Sequence, residues 1–331
     1  MASRNNKISI KKLENFLKKN KHNKWIMGLA AVVMLGAIIV TAGEALNIDA
    51  IPSWTTVLET ADTVLYGETS ETTSDLKEIP EGDTVTVTVL DVGQGDSILI
   101  RTPEQNVLID ASLPEEGDNV VKHLKDEGIN NLDLVIMTHP HADHIGGMQK
   151  VFDNITVDKV IMSPQSHTTN MYKKLLTTIK TKKIASSTAK PGTVLELGGG
   201  ATLTILGPVQ KFDDLNDASV ISKLQYGETG FLFSGDAEKT AEEALLAKNP
   251  NLDVDVMVAG HHGSRTSTSG KYFAAASPEF IAISCGKDND YGHPHKETLE
   301  RIKDCTVNRT DLEGDITYVS DGNEIYVTTE N

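Results

Sequence analysis

The stretch Met137-Thr138-His139-Pro140-His141-Ala142-Asp143-His144 constrains this chain more than any other. It closes an apolar, branched run, residues 132–137, that reads as a buried strand. Pro140 forbids a regular continuation, so three histidines and an aspartate crowd a loop at a strand end. Imidazole and carboxylate bind divalent transition metals through nitrogen and oxygen. Four such groups within six residues cannot all face one ion. His139 and His141 converge on one point and Asp143 and His144 on another, a pattern that suits a two-metal centre.

The chain has 331 residues and a net charge of −16, unevenly spread. Residues 1–24 hold eight Lys or Arg against Glu14 alone, which leaves −23 on the remainder. Residues 25–43 follow without a charge, long enough to cross a hydrocarbon core of about 30 Å as a helix. Lysines before the run and acids after it place the N-terminus in the cytoplasm. The expectation is therefore a basic cytoplasmic segment (1–24), a single transmembrane helix (25–43), an acidic stalk (44–83) and an extracellular domain (84–331). The anchor is expected to stay uncleaved, because no clean small-residue cleavage site follows it. Cys285 and Cys305 lack the paired spacing of a zinc ribbon or a redox motif. They are either two isolated thiols or one disulfide.

From Thr84 the pattern changes. Residues 84–89 alternate with period two, and residues 97–101 and 107–109 continue as strands of an antiparallel meander. The Gly93-Gln94-Gly95 turn lies inside this meander and not between a strand and a helix, which excludes a dinucleotide fingerprint. Helical patterns at 119–127, 145–152 and 171–180 then alternate with strands at 132–137 and 157–162. A second meander occupies 193–197, 201–206, 219–226 and 231–234, followed by a helix at 237–246 and a strand at 254–259. Two halves of this kind suggest an α/β (α+β) fold, two sheets face to face with helices outside, an αββα sandwich. Strand-end loops then share one edge. On it Asp236 could bridge two metals, His261 could complete a site with Asp143 and His144, and Asp110 could hold a histidine ligand from behind.

Together these segments carry a resemblance. Asp91-Val92-Gly93-Gln94-Gly95-Asp96, the His139-x-His141-x-Asp143-His144 loop, Ser234-Gly235-Asp236, His261-His262-Gly263-Ser264-Arg265 and Tyr291-Gly292-His293-Pro294-His295 occur in this order. They resemble the metallo-β-lactamase-fold hydrolases, in particular the C-terminal domain of ComEC-type competence DNA-uptake proteins, over residues 84–328. The resemblance implies a four-layer sandwich and two divalent metal ions, zinc or manganese. Their ligands would be His139, His141, Asp143, His144, Asp236 and His261, with Asp110, His262 and Asp91 behind them. Within the domain it departs in its ligand set: many relatives carry a further histidine on the His139/His141 metal, and residues 199–230 contain none. Asn216-Asp217-Ala218-Ser219 stands there, so the His139/His141 ion is expected to bind more loosely.

The expected chemistry is hydrolysis by a metal-bound hydroxide, with Asp143 accepting its proton and His293 or the second metal stabilising the leaving oxygen. His293 and His295 precede a helix starting near Lys296, so they either cap it or reach the site. On resemblance the substrate is a phosphodiester, most readily DNA, as for a nuclease. Asn216, Ser264, Arg265, Lys173 and Lys174 are candidate contacts. Residues 173–190 hold six lysines and no acid, either a solvated helix face or a phosphate-tracking surface. The net −14 of residues 84–331 argues against tight nucleic-acid binding by the domain as a whole. The alternatives are a surface phosphodiesterase on wall-polymer or phosphocholine esters, a lactonase or amide hydrolase of this fold, and a non-enzymatic binding module.

Overall fold

The computed structural model describes residues 82–248 and 252–331. The apolar run 25–43 and the acidic segment up to residue 81 lie outside the described residues. Among those described, no helix is long and apolar enough to cross a membrane.

The first half opens with the expected antiparallel meander, β1 (Val85–Val89), β2 (Ile98–Arg101) and β3 (Asn106–Ile109). Helix α1 (Gly117–Asp126) and β4 (Asn131–Leu132) lead to β5 (Leu134–Met137), which joins β3 in parallel. The helix expected at 145–152 is two pieces, α2 (Ala142–Ile145) and α3 (Met148–Asn154). The break falls at Gly147, whose N–H donates to the Ser112 carbonyl at 2.9 Å instead of up the helix. Next come β6 (Thr156–Val157), β7 (Lys159–Met162), α4 (Asn170–Lys182) and β8 (Ala185–Thr188). β8 is exposed throughout and carries no apolar alternation, so its sequence gave no strand signal.

In the second half, β9 (Val194–Glu196), β10 (Thr202–Ile205), β11 (Ser222–Tyr226) and β12 (Thr229–Phe233) form the second antiparallel meander. Then follow α5 (Lys239–Leu246), β13 (Val256–Val258), a 3-10 turn (Gly260–Gly263), α6 (Gly270–Ala276), β14 (Phe280–Ile283), α7 (Lys296–Arg301) and β15 (Thr306–Arg309). The described residues close with α8 (Thr310–Glu313) and the hairpin β16 (Ile316–Ser320) and β17 (Ile325–Thr329). β16 crosses back to pair antiparallel with β1. The eight-stranded sheet runs β17-β16-β1-β2-β3-β5-β7-β8 and the seven-stranded sheet β15-β14-β13-β12-β11-β10-β9.

Alternation within single strands builds the layers. Ile98, Ile100, Val107, Ile109, Leu134 and Ile136 face the core between the sheets, with Phe231, Phe233, Val256 and Val258 opposite. The intervening Leu99, Leu108, Val135 and Met137 pack on Val120, Leu124, Val151 and Leu175 of the helices over the first sheet. Leu232, Met257 and Ile281 do the same against Ala241, Leu245 and Tyr272 over the second. Three apolar cores therefore separate four layers, helix, sheet, sheet, helix. Cys285 and Cys305 are unpaired thiols, donating to Asp311 Oδ1 at 3.3 Å and to the Pro278 carbonyl at 3.0 Å.

Phe231→Ala, a fully buried ring between the sheets, should lower stability by about 3–5 kcal/mol in urea titration. Val194→Ala on the exposed strand β9 should change it by less than about 0.5 kcal/mol.

Candidate metal centre

The carboxyl ends of β3, β5, β12, β13 and β14 deliver polar side chains to one edge of the sandwich. Asp110 follows β3, His139 follows β5, Asp236 follows β12, and the 3-10 turn carrying His261 and His262 follows β13. Asp236 is 2% exposed and stands between two groups. One is Asp143, His144, Asp236 and His262; the other is His139, His141 and Asp236. Within each group the candidate ligand atoms lie within 4.8 Å of one another. Asp236 Oδ1 is 3.1 Å from His144 Nε2 and 3.6 Å from His262 Nε2. Asp236 Oδ2 is 3.6 Å from His139 Nε2, which also lies 3.0 Å from His141 Nδ1.

The groups behind these atoms fix the imidazole tautomers. His144 Nδ1 donates to Asp110 Oδ2 at 2.8 Å, and Asp110 in turn accepts from the N–H and hydroxyl of Thr138. His262 Nδ1 donates to the Ser284 carbonyl at 3.1 Å and faces Asp96 Oδ1 at 3.3 Å. Both rings thus turn Nε2 toward Asp236. The backbone is held as well: Ala111 N–H donates to the His144 carbonyl at 2.7 Å, and Asp96 N–H to the Asp143 carbonyl at 3.1 Å. Gly95 makes the second approach feasible, since a Cβ there would sit 2.3 Å from the Asp143 carbonyl oxygen.

Whether this donor set fits a metal is answered by atoms without partners. His144 Nε2, His262 Nε2 and Asp236 Oδ1 are buried, converge on one another and make no hydrogen bond. Unpaired buried polar atoms are costly, and a cation among them satisfies all three. Protonation tells the same story. Burial opposes the charge on His144, but Asp236 and Asp110 outweigh it and raise its pKa well above the usual value. Burial likewise opposes His262, yet Asp236, Asp96 and Asp143 push it up to about 10. Burial works against the Asp236 carboxylate too, but His144, His262 and His139 hold its pKa far below the ordinary range. His139 goes the other way, lowered by burial and by the charge of His144. The residues fit divalent metal through nitrogen and oxygen donors, four in one group and three in the other.

Residues 90–282 match the family model described as the metallo-beta-lactamase superfamily. The chain belongs to that superfamily. It is related to ComE operon protein 3 of Bacillus subtilis strain 168, 29% identical over 70% of this chain and 32% of that protein. Competence protein ComA of Neisseria gonorrhoeae is 30% identical over 71% of this chain and 32% of its own length. This chain thus spans about a third of the length of these relatives. Among solved structures, the metallo-beta-lactamase fold protein YhfI from Bacillus subtilis superposes with a TM-score of 0.49 at 14% identity, covering 72% of this chain and all of that one.

Several positions differ from the sequence reading. His262, not His261, joins Asp143, His144 and Asp236, because His261 and His262 both take left-handed backbone angles (φ 53° and 54°). That turn rotates the second histidine inward to 1% exposure. His261 stands outside both groups at the mouth, with Nε2 3.7 Å from Asp236 Oδ2 and Nδ1 3.2 Å from Glu238 Oε1. Asp91 is exposed and away from the site; its N–H donates to Asp315 Oδ1 and its carboxylate closes a turn on Gly93 N–H. Ser264 is buried, its N–H tied to the His261 carbonyl and its own carbonyl to the Thr298 hydroxyl, so it secures the turn. The cleft of about 310 Å³ is lined by Gln94, His141, Ala142, Asp143, Asp236, His261, His262, Tyr291 and His293. Asn216, Ser264, Arg265, Lys173 and Lys174 are not among these residues. Of the stretch Asn216-Asp217-Ala218-Ser219, Ser219 reaches a candidate ligand, its Oγ meeting His139 Nδ1 at 3.3 Å.

Sequence reasoning gave no role to Asp96, Gln94, Thr138, Ser219 or Tyr291. Asp96 was visible as an acid inside an apolar, glycine-turned segment, a position that calls for a buried partner.

Metal should displace protons here, because a ligating imidazole must be neutral and His262 holds its proton up to about pH 10. Below that pH, affinity should rise about tenfold per pH unit for each proton released. Calorimetry in buffers of different ionisation enthalpy at pH 7 should find at least one proton released on loading; equal affinity at pH 6 and pH 8 would contradict it. His262→Ala should weaken the tighter ion far more than His261→Ala, and Asp96→Asn should cost about 10–100-fold through the ring it steadies.

Proposed function

We propose that this protein is a metal-dependent phosphodiesterase acting on a nucleic-acid strand, held at the outer face of a membrane by residues 25–43. The observation that carries the hydrolase part is the convergence of unpartnered His144 Nε2, His262 Nε2 and Asp236 Oδ1 beside the His139/His141 pair. Two divalent ions held by these residues would supply Lewis acidity and a water of lowered pKa.

The chain's own groups account for orientation and proton movement. Asp143 sits at the mouth of the cleft with its carboxylate 3.5 Å from His262 Nε2. Partial burial raises its pKa, but the neighbouring His262 and the charge of His144 outweigh that and keep it ionised. It is thus an acceptor at neutral pH, suited to take a proton from an attacking water. Burial and the neighbouring His262 and His261 lower His293 to about 4, so it is neutral at pH 7. Gln94 Oε1 accepts from Gly286 N–H at 3.2 Å, which turns Gln94 Nε2 toward His293 Nδ1 at 3.4 Å. The His293 proton then resides on Nε2, where it serves as a neutral hydrogen-bond donor to a phosphoryl or leaving oxygen rather than as an acid.

The substrate reading draws on the relatives, one of which is named a competence protein, and on the resemblance to DNA-uptake proteins. Helix α4 adds a local reason. Its Tyr172 lines a small pocket with His139 and Pro140, and the adjacent Lys173 and Lys174 are exposed. A phosphate backbone that reaches α4 would meet positive charge on an otherwise acidic domain.

Lys173→Ala with Lys174→Ala should weaken cleavage of linear DNA at moderate salt and reduce the salt slope by about one unit per lost phosphate contact. Hydrolysis of bis-p-nitrophenyl phosphate should change far less; equal loss on both would contradict a backbone-tracking role. Hydrolysis of a lactone in preference to either diester would overturn the substrate class. For the topology, protease added to intact cells should remove the domain, and degradation only after lysis would contradict an outward domain.

A further inference from the structure

We propose that Tyr291 is a platform on which one unpaired nucleobase of the substrate strand stacks. The proposal rests on the phosphodiesterase reading above and narrows its substrate to single strands that carry bases.

Among the described residues, four large hydrophobic side chains are exposed: Leu176, Val194, Tyr291 and Leu312. Of these, Tyr291 alone lines the cleft. The residue is 65% exposed, and its ring lies nearly parallel to the His293 imidazole, with centroids 5.6 Å apart and planes 21° apart. One face of the tyrosine therefore rests on a histidine that is itself 9% exposed, and the ring is otherwise open to solvent. An exposed aromatic that covers no core gives up favourable burial, and here it stands at the mouth of a polar cleft.

The platform is held in place by its own loop. Asn289 Nδ2 donates to the Gly286 carbonyl at 2.8 Å and to the His293 carbonyl at 2.6 Å. Asn289 Oδ1 accepts from Tyr291 N–H at 3.2 Å and His293 N–H at 2.9 Å. From the opposite side Gln94 meets both ends of the loop, at Gly286 N–H and His293 Nδ1. Six hydrogen bonds order the short loop that carries the ring before anything binds, which reduces the entropy lost on stacking.

A flat, open ring accepts a flat, apolar face. Asp290 immediately precedes Tyr291 and Asp288 stands two residues before that, against Lys287, so the segment next to the ring is acidic and favours a base over a phosphate there. A quaternary ammonium such as choline is the other chemistry that aromatic rings bind, but it is held by a cage of several rings. No Phe, Trp or second Tyr lines this cleft. A base inside a duplex is already stacked on both faces, so the platform selects single strands. Each base on an aromatic ring contributes about five- to a hundredfold in affinity.

The test uses the full chain with EDTA, so that no strand is cut, and fluorescence anisotropy of labelled decamers at low salt. Wild type should bind a thymidine decamer more tightly than an abasic decamer. Tyr291→Ala should lose about tenfold for the thymidine decamer and with it the preference for bases, and Tyr291→Trp should restore both. Equal loss on both decamers, no loss on either, or a loss confined to glycerophosphocholine would overturn the platform. Hydrolysis of bis-p-nitrophenyl phosphate by the metal-loaded wild type separates the two claims. If it is absent while the base preference persists, the phosphodiesterase reading fails and the platform stands as a binding site. If it is present without the preference, the platform fails alone.

Discussion

Asp236 is a carboxylate withdrawn from water and ringed by imidazoles, with His144, His262 and His139 within 3.6 Å of its two oxygens. An isolated charge at that depth would be prohibitive, so the fold must bring cations or cationic donors to it. Those donors come from both sheets: His139 and His144 from the loop after β5, His262 from the turn after β13. The carboxyl ends of parallel strands point the same way, which is why β3, β5, β12, β13 and β14 unload at one edge. Asp110, Asp96 and Ser284 then fix which nitrogen of each ring carries a proton. Even the backbone contact of Gly95 on Asp143 belongs to this arrangement, because it sets the height of the metal loop.

Much of this was legible in the sequence, for identifiable reasons. Period-two alternation over residues 84–89 and short apolar runs between glycine turns marked both meanders, since their strands pack a face into the core between the sheets. The His139 to His144 loop, Asp110 and Asp236 were legible because each follows a short apolar strand, and a polar residue at such a place must face either solvent or a site. The choice between His261 and His262 was not legible. It turns on two consecutive left-handed residues, and no periodicity reports a backbone reversal of that kind. Asp91 misled in the opposite sense: it shares a motif with Asp96, but only the latter points inward. β8 is a fully exposed edge strand, and Tyr291 sits in a loop whose order depends on Asn289 and Gln94, contacts set by the tertiary fold alone.

The asymmetry of the two groups has a structural basis. Asp143, His144, Asp236 and His262 offer four donors, steadied by Asp110 and Asp96. His139, His141 and Asp236 offer three, and Ser219 hydrogen-bonds His139 at Nδ1, the nitrogen turned away from Asp236, without extending the donor set. His141 and Asp143 are also the more exposed members, and both line the cleft. Residues 84–331 carry a net −14, and Lys173 and Lys174 of α4 lie exposed on that acidic background.

Anomalous diffraction from crystals of the metal-loaded protein tests the central arrangement most directly. The account predicts two peaks flanking the Asp236 carboxylate, one bounded by Asp143, His144 and His262 and the other, of lower occupancy, by His139 and His141. A single peak, or an ion coordinated by His261 in place of His262, would contradict it.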